Sequence, residues 1–290
     1  MTPQTRPLHP AFGVEVLNCK VGPDLDDAGF ATLRHTFEQN SLVLLRDQSM
    51  SPAEQEAFTR RFRELEYHVL KEHTFADTPG VMILTNAVEG GKPQGAHKIG
   101  WHWHTDLTYY PRPCDMTMLL GIEIPPEGGD TLFCSLTAAY DALPAEERRR
   151  YDAMTAVHSY NYMRSIKYPD AAPLSQEQLD RVRDVEHPLI RQHPVTGRRA
   201  LYVSEYIIKN IVGMDIPQSQ ELLAQLVAHA TDDRFVYRHK WRKGDLVFWD
   251  NRATMHKATP YDDVAYTRRM HRSMTAGDVP FLNPAALTRS

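Results

Sequence analysis

The sequence predicts a β-rich α+β fold, a β-sandwich or jelly roll decorated with helices. Two observations carry that expectation. Short apolar runs of strand type are dispersed from residue 14 to residue 274, and helical segments are inserted between them rather than gathered at one end. No internal repeat, low-complexity tract or linker divides the 290 residues, so one domain spanning 1–290 is expected.

Residues 14–16 read as a short strand. Phe30, Leu33 and Phe37 recur near helical spacing and predict a helix over 26–39. Residues 41–45 are apolar and short enough for a buried strand. Ser51, Pro52 and Glu54 then offer an N-cap, a proline at the first helical position and the acid of a capping box, for a helix running to about Phe62. After a strand at 81–84, the glycines and proline of 89–95 mark a loop, either a lid over a site or a plain exposed turn. Residues 116–122 look like a core strand, 128–131 a turn, and 136–143 and 145–154 helices. The stretch 170–186 is polar and helix-like. Strands are expected at 189–191 and 200–203, and an amphipathic helix at 217–231 through Leu222, Leu223, Leu226 and Val227. The last quarter is strand-rich, at 235–237, 245–249, 255–256 and 269–274.

A net charge of −4 gives no general reason to expect nucleic acid as a partner. No apolar run approaches the roughly 20 residues that span a bilayer. Residues 1–7 carry no hydrophobic signal core, and cytoplasmic residence is the default expectation. Cys19, Cys114 and Cys134 are few, odd in number and without CxxC spacing, which argues for reduced thiols rather than a disulfide framework or a thiolate metal site. Fourteen histidines are too many for histidine count to locate a site.

Order and spacing locate it instead. His104-Thr105-Asp106 is followed far downstream by Met255-His256 and by Arg268, Arg269 and Arg272. Two imidazoles and one carboxylate can occupy one face of a metal and leave the other face open, the donor set of non-haem Fe(II) oxygenases. The His-x-Asp half suits a strand, where residues two apart project to the same side. The arginines supply a counter-charge for an acidic co-substrate. Taken alone, His-Thr-Asp is more often a turn or strand edge, and His256 a satisfied core histidine. Two other chemistries remain open on the same ligands: a zinc-dependent hydrolase using a metal-bound water, and a non-catalytic metal-binding protein. No positioned glutamate base accompanies the histidines to favour the hydrolase.

These residues resemble the Fe(II)/2-oxoglutarate-dependent dioxygenases of the taurine dioxygenase and 2,4-dichlorophenoxyacetate dioxygenase family. The matching stretches are Trp103-His104-Thr105-Asp106, Gly128-Gly129-Asp130-Thr131, Ala138-Ala139-Tyr140-Asp141-Ala142-Leu143-Pro144, Trp249-Asp250-Asn251-Arg252 and Arg268-Arg269-Met270-His271-Arg272, within a similarity running from about residue 14 to 280. The resemblance implies a double-stranded β-helix (jelly roll) core with His104, Asp106 and His256 as Fe(II) ligands. It implies that Thr131 and Arg268 hold the far carboxylate of the co-substrate 2-oxoglutarate, for which the arginine fork is suited. In an extended segment Arg268, Met270 and Arg272 point one way and Arg269 the other. Arg272 and His68 match substrate-side positions, so the resemblance implies a small anionic substrate, a sulfonate, aryloxy acid or amino-acid-like compound. Arg272 assisting 2-oxoglutarate instead stays open. Trp249, Asp250 and Asn251 read as scaffolding that ties the turn placing His256.

Trp101, His102, Tyr109, Tyr110, Tyr160, Tyr162, Tyr202 and Tyr206 fall in segments near the expected cavity, with Tyr160 and Tyr206 taken as substrate contacts. Single aromatics are more often core filler; together they suggest a larger or aromatic substrate. The implied reaction consumes O₂, releases succinate and CO₂ and hydroxylates a C–H bond. Next to a heteroatom the product collapses with C–S, C–O or C–N cleavage, and desaturation or cyclisation is open to the same chemistry. Because Asp106 is present, hydroxylation is favoured over halogenation. Substrate identity and oligomeric state are not legible, although dimers and tetramers are common among relatives.

Overall fold

The computed structural model describes residues 4–67, 73–170 and 173–283. Along the first half the elements are β1 (Thr5–Pro7), β2 (Val14–Val16), α1 (Asp27–Asn40), β3 (Leu42–Leu45), α2 (Pro52–Phe62), β4 (Val81–Thr85), β5 (Val88–Glu89), β6 (Lys92–Pro93), β7 (Met116–Glu123), β8 (Thr131–Ser135), α3 (Leu136–Asp141) and α4 (Ala145–Asp152). The second half adds β9 (Thr155–His158), α5 (Tyr160–Lys167), α6 (Gln176–Arg181), β10 (Val185–Pro188), β11 (Ile190–Gln192), β12 (Arg199–Leu201), β13 (Ile208–Ile211), α7 (Ile216–Ala230), β14 (Val236–His239), β15 (Leu246–Asp250), β16 (Thr254–Ala258) and β17 (Arg269–Met274).

Seven strands form the main sheet in the order β1-β2-β3-β15-β7-β17-β4, antiparallel except for the β2–β3 pair. The central strand β3 is apolar at each of its positions, and β7 and β15 carry apolar runs, because both faces of the sheet are covered. Val43, Leu45, Met118, Leu120 and Phe248 pack on one side against Phe30, Leu33 and Phe37 of α1 and Phe58 of α2. Leu42, Leu44, Leu119, Val247 and Met270 turn the opposite way, toward Phe133 of β8. That strand is the centre of a second antiparallel sheet, β14-β8-β16. Alternation along each strand thus feeds two separate cores, each large side chain contributing roughly 1.5–3 kcal/mol on burial.

Local signals set the helices. Asp26 caps α1 by accepting from Gly29 N at 2.7 Å, and Ser41 ends it in the left-handed region at φ 61°. In α2 the expected capping box is complete: Glu54 N donates to Ser51 Oγ at 3.2 Å, and Ser51 N to Glu54 Oε2 at 2.7 Å. A third core joins α3, α7 and the β10-β9-β13 sheet to Trp103, Leu107 and Tyr109, closing the site's far side. None of the described helices is long and apolar enough to cross a membrane.

Several expectations need correction. Thr131 opens a strand rather than ending a turn. The stretch 170–186 holds only α6 and the start of β10 among its described residues, since its mostly polar side chains give a long helix no face to bury. Residues 89–95 form part of an exposed hairpin, β5–β6. His104-Thr105-Asp106 is not on a strand: only His104 makes a bridge, and Leu107 follows at φ 54°. Apolar periodicity did not disclose α5, β9 or β13.

Candidate active site

His104 and His256 face each other across a two-residue bridge. His104 N donates to His256 O at 3.0 Å and His256 N to His104 O at 2.8 Å, setting the ring centroids 4.1 Å apart. Asp106 reaches the same point from the following turn, fixed through its backbone N to Asn251 Oδ1 at 3.3 Å and through Oδ2, which accepts from Thr117 Oγ1 at 2.7 Å. The Nε2 atoms of His104 and His256 lie 3.8 and 3.7 Å from the Asp106 carboxylate. Those separations are too long for hydrogen bonds, yet one donor atom from each residue lies within 4.8 Å of the others, a spacing that suits a shared ion.

Protonation agrees with ligation. His104 Nδ1 lies 2.8 Å from the His102 carbonyl, which can only accept, so Nδ1 is the donor there and Nε2 is the ring nitrogen left facing the Asp106 carboxylate. Burial holds the His256 imidazole well below its usual pKa and therefore neutral. Burial pushes the Asp106 carboxyl up, but its surroundings, the Arg272 guanidinium and the Thr117 hydrogen bond among them, hold it below the usual carboxylate range. Two imidazoles and an ionised carboxylate fit a divalent first-row ion, Fe(II) among them.

The three open into a cavity of about 390 Å³ that is also lined by Thr131, Arg268, Arg272 and Tyr160. Arg268 donates from Nε to Gly129 O at 3.2 Å, and no carboxylate among the described residues lies within ion-pair distance of it. Burial lowers its pKa to about 10, still charged at neutral pH. Gly129 (φ 65°) is needed here, since a Cβ would sit 3.1 Å from Arg268 Cδ and Nε. Arg272 Nη1 stands 3.8 Å from Asp106 Oδ1 and Nη2 donates to Met82 Sδ at 3.2 Å. Arg269 is off the lining and approaches Glu89 at 3.6 Å, as strand alternation requires.

Trp101, His102 and Tyr109 line the cavity with Tyr160, whose ring lies 4.8 Å from that of Tyr109. Tyr206 is not brought in: it sits at φ 64° on the exterior side of His102, with Lys167 Nζ 4.0 Å over its ring. Tyr110, Tyr162 and Tyr202 are also off the lining. His68 lies outside the described residues. The 89–95 hairpin does not line the cavity, whereas residues 96–101 behind it do. Asp250 ties the turn ahead of His256, accepting from Arg252 N and Thr254 Oγ1 and holding the Arg252 and His193 side chains, whereas Asn251 fixes Asp106 and Thr117 rather than that turn. Sequence reasoning missed Thr117 and Trp241, whose indole Nε1 donates to Thr131 Oγ1 at 2.9 Å, because neither belongs to a local motif.

The model of the family described as taurine catabolism dioxygenase TauD, TfdA family matches residues 4–274. The α-ketoglutarate-dependent 2,4-dichlorophenoxyacetate dioxygenase of Burkholderia sp. (strain RASC) is 32% identical over 287 residues, 96% of this chain and 95% of that one. The α-ketoglutarate-dependent sulfate ester dioxygenase of Pseudomonas putida is 32% identical over 293 residues, 98% and 93% of the two chains. The crystal structure of AAD-2 in complex with Mn(II) and N-oxalylglycine aligns with a TM-score of 0.82 and 29% identity, covering 97% of this chain and 100% of that one. Similar over nearly its full length, the chain belongs to the TauD/TfdA family of Fe(II)- and α-ketoglutarate (2-oxoglutarate)-dependent dioxygenases.

Proposed function

We propose that this dioxygenase hydroxylates a small anionic organic substrate with His104, Asp106 and His256 as its iron ligands. Thr131 and Arg268 would hold the far carboxylate of 2-oxoglutarate, with Arg272 and Tyr160 on the substrate side. One observation carries the reading: a half-buried, charged Arg268 without a carboxylate partner among the described residues opens onto the same cavity as the three donors. A desolvated guanidinium of that kind favours a bidentate anion. When bound, Fe(II) with 2-oxoglutarate and O₂ supplies the oxidising chemistry, yielding succinate, CO₂ and hydroxylated product.

The chain's own residues orient and enclose. Asp106, held ionised, offers charge to the ion while Thr117 restrains one of its oxygens. Leu107, Tyr109, Tyr160, Met163 and Ile207 form an apolar wall that keeps water from the reacting carbon and accepts an aryl or alkyl body. Arg272 places positive charge beside it. Both 2,4-dichlorophenoxyacetate and sulfate esters, in the names of two relatives, are anions with such bodies. Release of a C–O or C–S fragment follows where the oxidised carbon bears a heteroatom. On this reading the two facing sheets are the halves of a jelly roll, and the chain works as one cytoplasmic domain.

The test is a screen of aryloxy acids, sulfate esters, sulfonates and amino-acid-like compounds for substrate-stimulated succinate release with Fe(II) and O₂. An anion with an aryl or alkyl body should stimulate release, and His104→Ala or Asp106→Ala should abolish it. Equal stimulation by neutral isosteres would remove the anionic assignment, and turnover in either variant would remove the ligand assignment.

A further inference from the structure

Thr131 has one hydroxyl proton, and its oxygen can accept. The Trp241 indole N–H can only donate, and it does so to Thr131 Oγ1 at 2.9 Å. The hydroxyl proton is therefore turned away from Trp241, and Thr131 lines the cavity. The Arg268 guanidinium carbon stands 6.0 Å from the centre of the Trp241 ring, within the range of a cation–π contact. One indole thus touches both groups read as holding the far carboxylate, with its N–H on one and its face toward the other.

Trp241 is itself held firmly. It is buried, and the His239 ring meets it edge-on at 4.5 Å and 89°. His239 is buried as well, with Nδ1 3.2 Å from the Tyr237 hydroxyl. Such support favours a preorganised pair of donors over two free-swinging side chains.

We propose that Trp241 is a positioning residue for 2-oxoglutarate, aiming the Thr131 hydroxyl and steadying Arg268 for the carboxylate remote from the metal. This rests on the reading of Thr131 and Arg268 given above. Asp130, beside Thr131 in sequence, does not compete for the clamp, because it pairs outward with Arg238 at 2.6 Å.

The experiment is an anaerobic calorimetric titration of the Mn(II)-loaded protein with 2-oxoglutarate. Trp241→Phe should raise Kd on the order of tenfold and leave Mn(II) affinity unchanged, and in assays KM for 2-oxoglutarate should rise more than kcat falls. Trp241→His, which keeps a ring N–H, should recover part of the affinity. Thr131→Val should weaken binding similarly, and adding Trp241→Phe to it should cost little more, because the bond is already gone. The proposal is overturned by an unchanged Kd in Trp241→Phe, by Trp241→His binding no more tightly than Trp241→Phe, or by a full further loss in the Thr131→Val background. A wild-type protein that binds no 2-oxoglutarate overturns both this proposal and the reading beneath it.

Discussion

Asp106 ends a chain of hydrogen bonds whose direction is fixed at every link. Trp249 Nε1 donates to Asn251 Oδ1 at 3.2 Å, so the Asn251 amide is oriented and its Nδ2 donates to Thr117 Oγ1 at 2.9 Å. Thr117 then has its single proton for Asp106 Oδ2, at 2.7 Å. One carboxylate oxygen is restrained, while Oδ1 faces His104 and Arg272. Thr117→Val should weaken Mn(II) or Fe(II) binding on the order of 10–100-fold, the usual effect of losing a partner behind a metal ligand, and Thr117→Ser should restore most of it. Metal titration of the purified protein checks this, and equal affinity in Thr117→Val would sink it. Arg268→Ala should weaken 2-oxoglutarate binding by about 2–5 kcal/mol, because it removes a half-buried charged donor on the cavity wall. No change in that affinity would transfer the role to Arg272. His104, Asp106 and His256 were legible because a donor set with few chemical uses recurs in order along the chain. Thr117 and Trp241 were not, since Thr117 meets Asp106 only through a turn and a strand outside any motif, and Trp241 meets Thr131 only across distant strands.

Elements divide along the same line between local and distant causes. Helix α2 is announced by Ser51, Pro52 and Glu54, a signal that needs no tertiary contact. Ser51→Ala should therefore destabilise the protein by about 1 kcal/mol, read as a lower urea midpoint with unchanged slope, and an unaltered midpoint would deny the cap a stabilising role. Helices α1 and α7 were legible from their apolar spacing, and β3, β7 and β15 from apolar runs that only a doubly covered sheet accommodates. By contrast, β9 and β13 are short and half-polar, and pair with each other under α7. Helix α5 spans only Tyr160–Lys167 and buries Met163 alone, yet it begins with Tyr160 on the cavity wall. The His104 segment misled because period two fits a strand, while its backbone makes only a single bridge at His104 and is already in a turn at Asp106, with Leu107 at φ 54°.

At the scale of the molecule, burial has been extended to several titratable groups, and the cost should appear as acid sensitivity. His187 Nε2 lies 3.0 Å from both Thr108 O and Tyr110 O, so it carries the proton of a neutral ring that ties the chain just beyond Asp106. Burial lowers its pKa to about 4, against the bonds to Tyr110 and Thr108 that raise it. Burial, with Arg269 nearby, lowers His271 to about 4 as well, and His256 shifts the same way. In the unfolded chain these histidines titrate near their ordinary value, roughly 6.5. Between that value and about 4 the unfolded state therefore binds more protons than the folded state, so stability is complete above the window and is lost as pH falls through it. Each fully buried group contributes up to about 1.4 kcal/mol per pH unit. The depressed carboxyls of Asp106 and Asp250 add a second loss only at lower pH, below the ordinary range of an aspartate. With chelator present, so that metal release does not add its own pH dependence, the urea midpoint should stay level from pH 8 to 7 and drop steadily from 6.5 to 5. His187→Gln, which keeps an N–H for the two carbonyls but cannot be protonated, should make that descent shallower whatever it does to stability at pH 8. A midpoint that holds level down to pH 5 in the wild-type protein would mean that these imidazoles are hydrated when folded and that the interior around the cavity is wetter than its packing indicates.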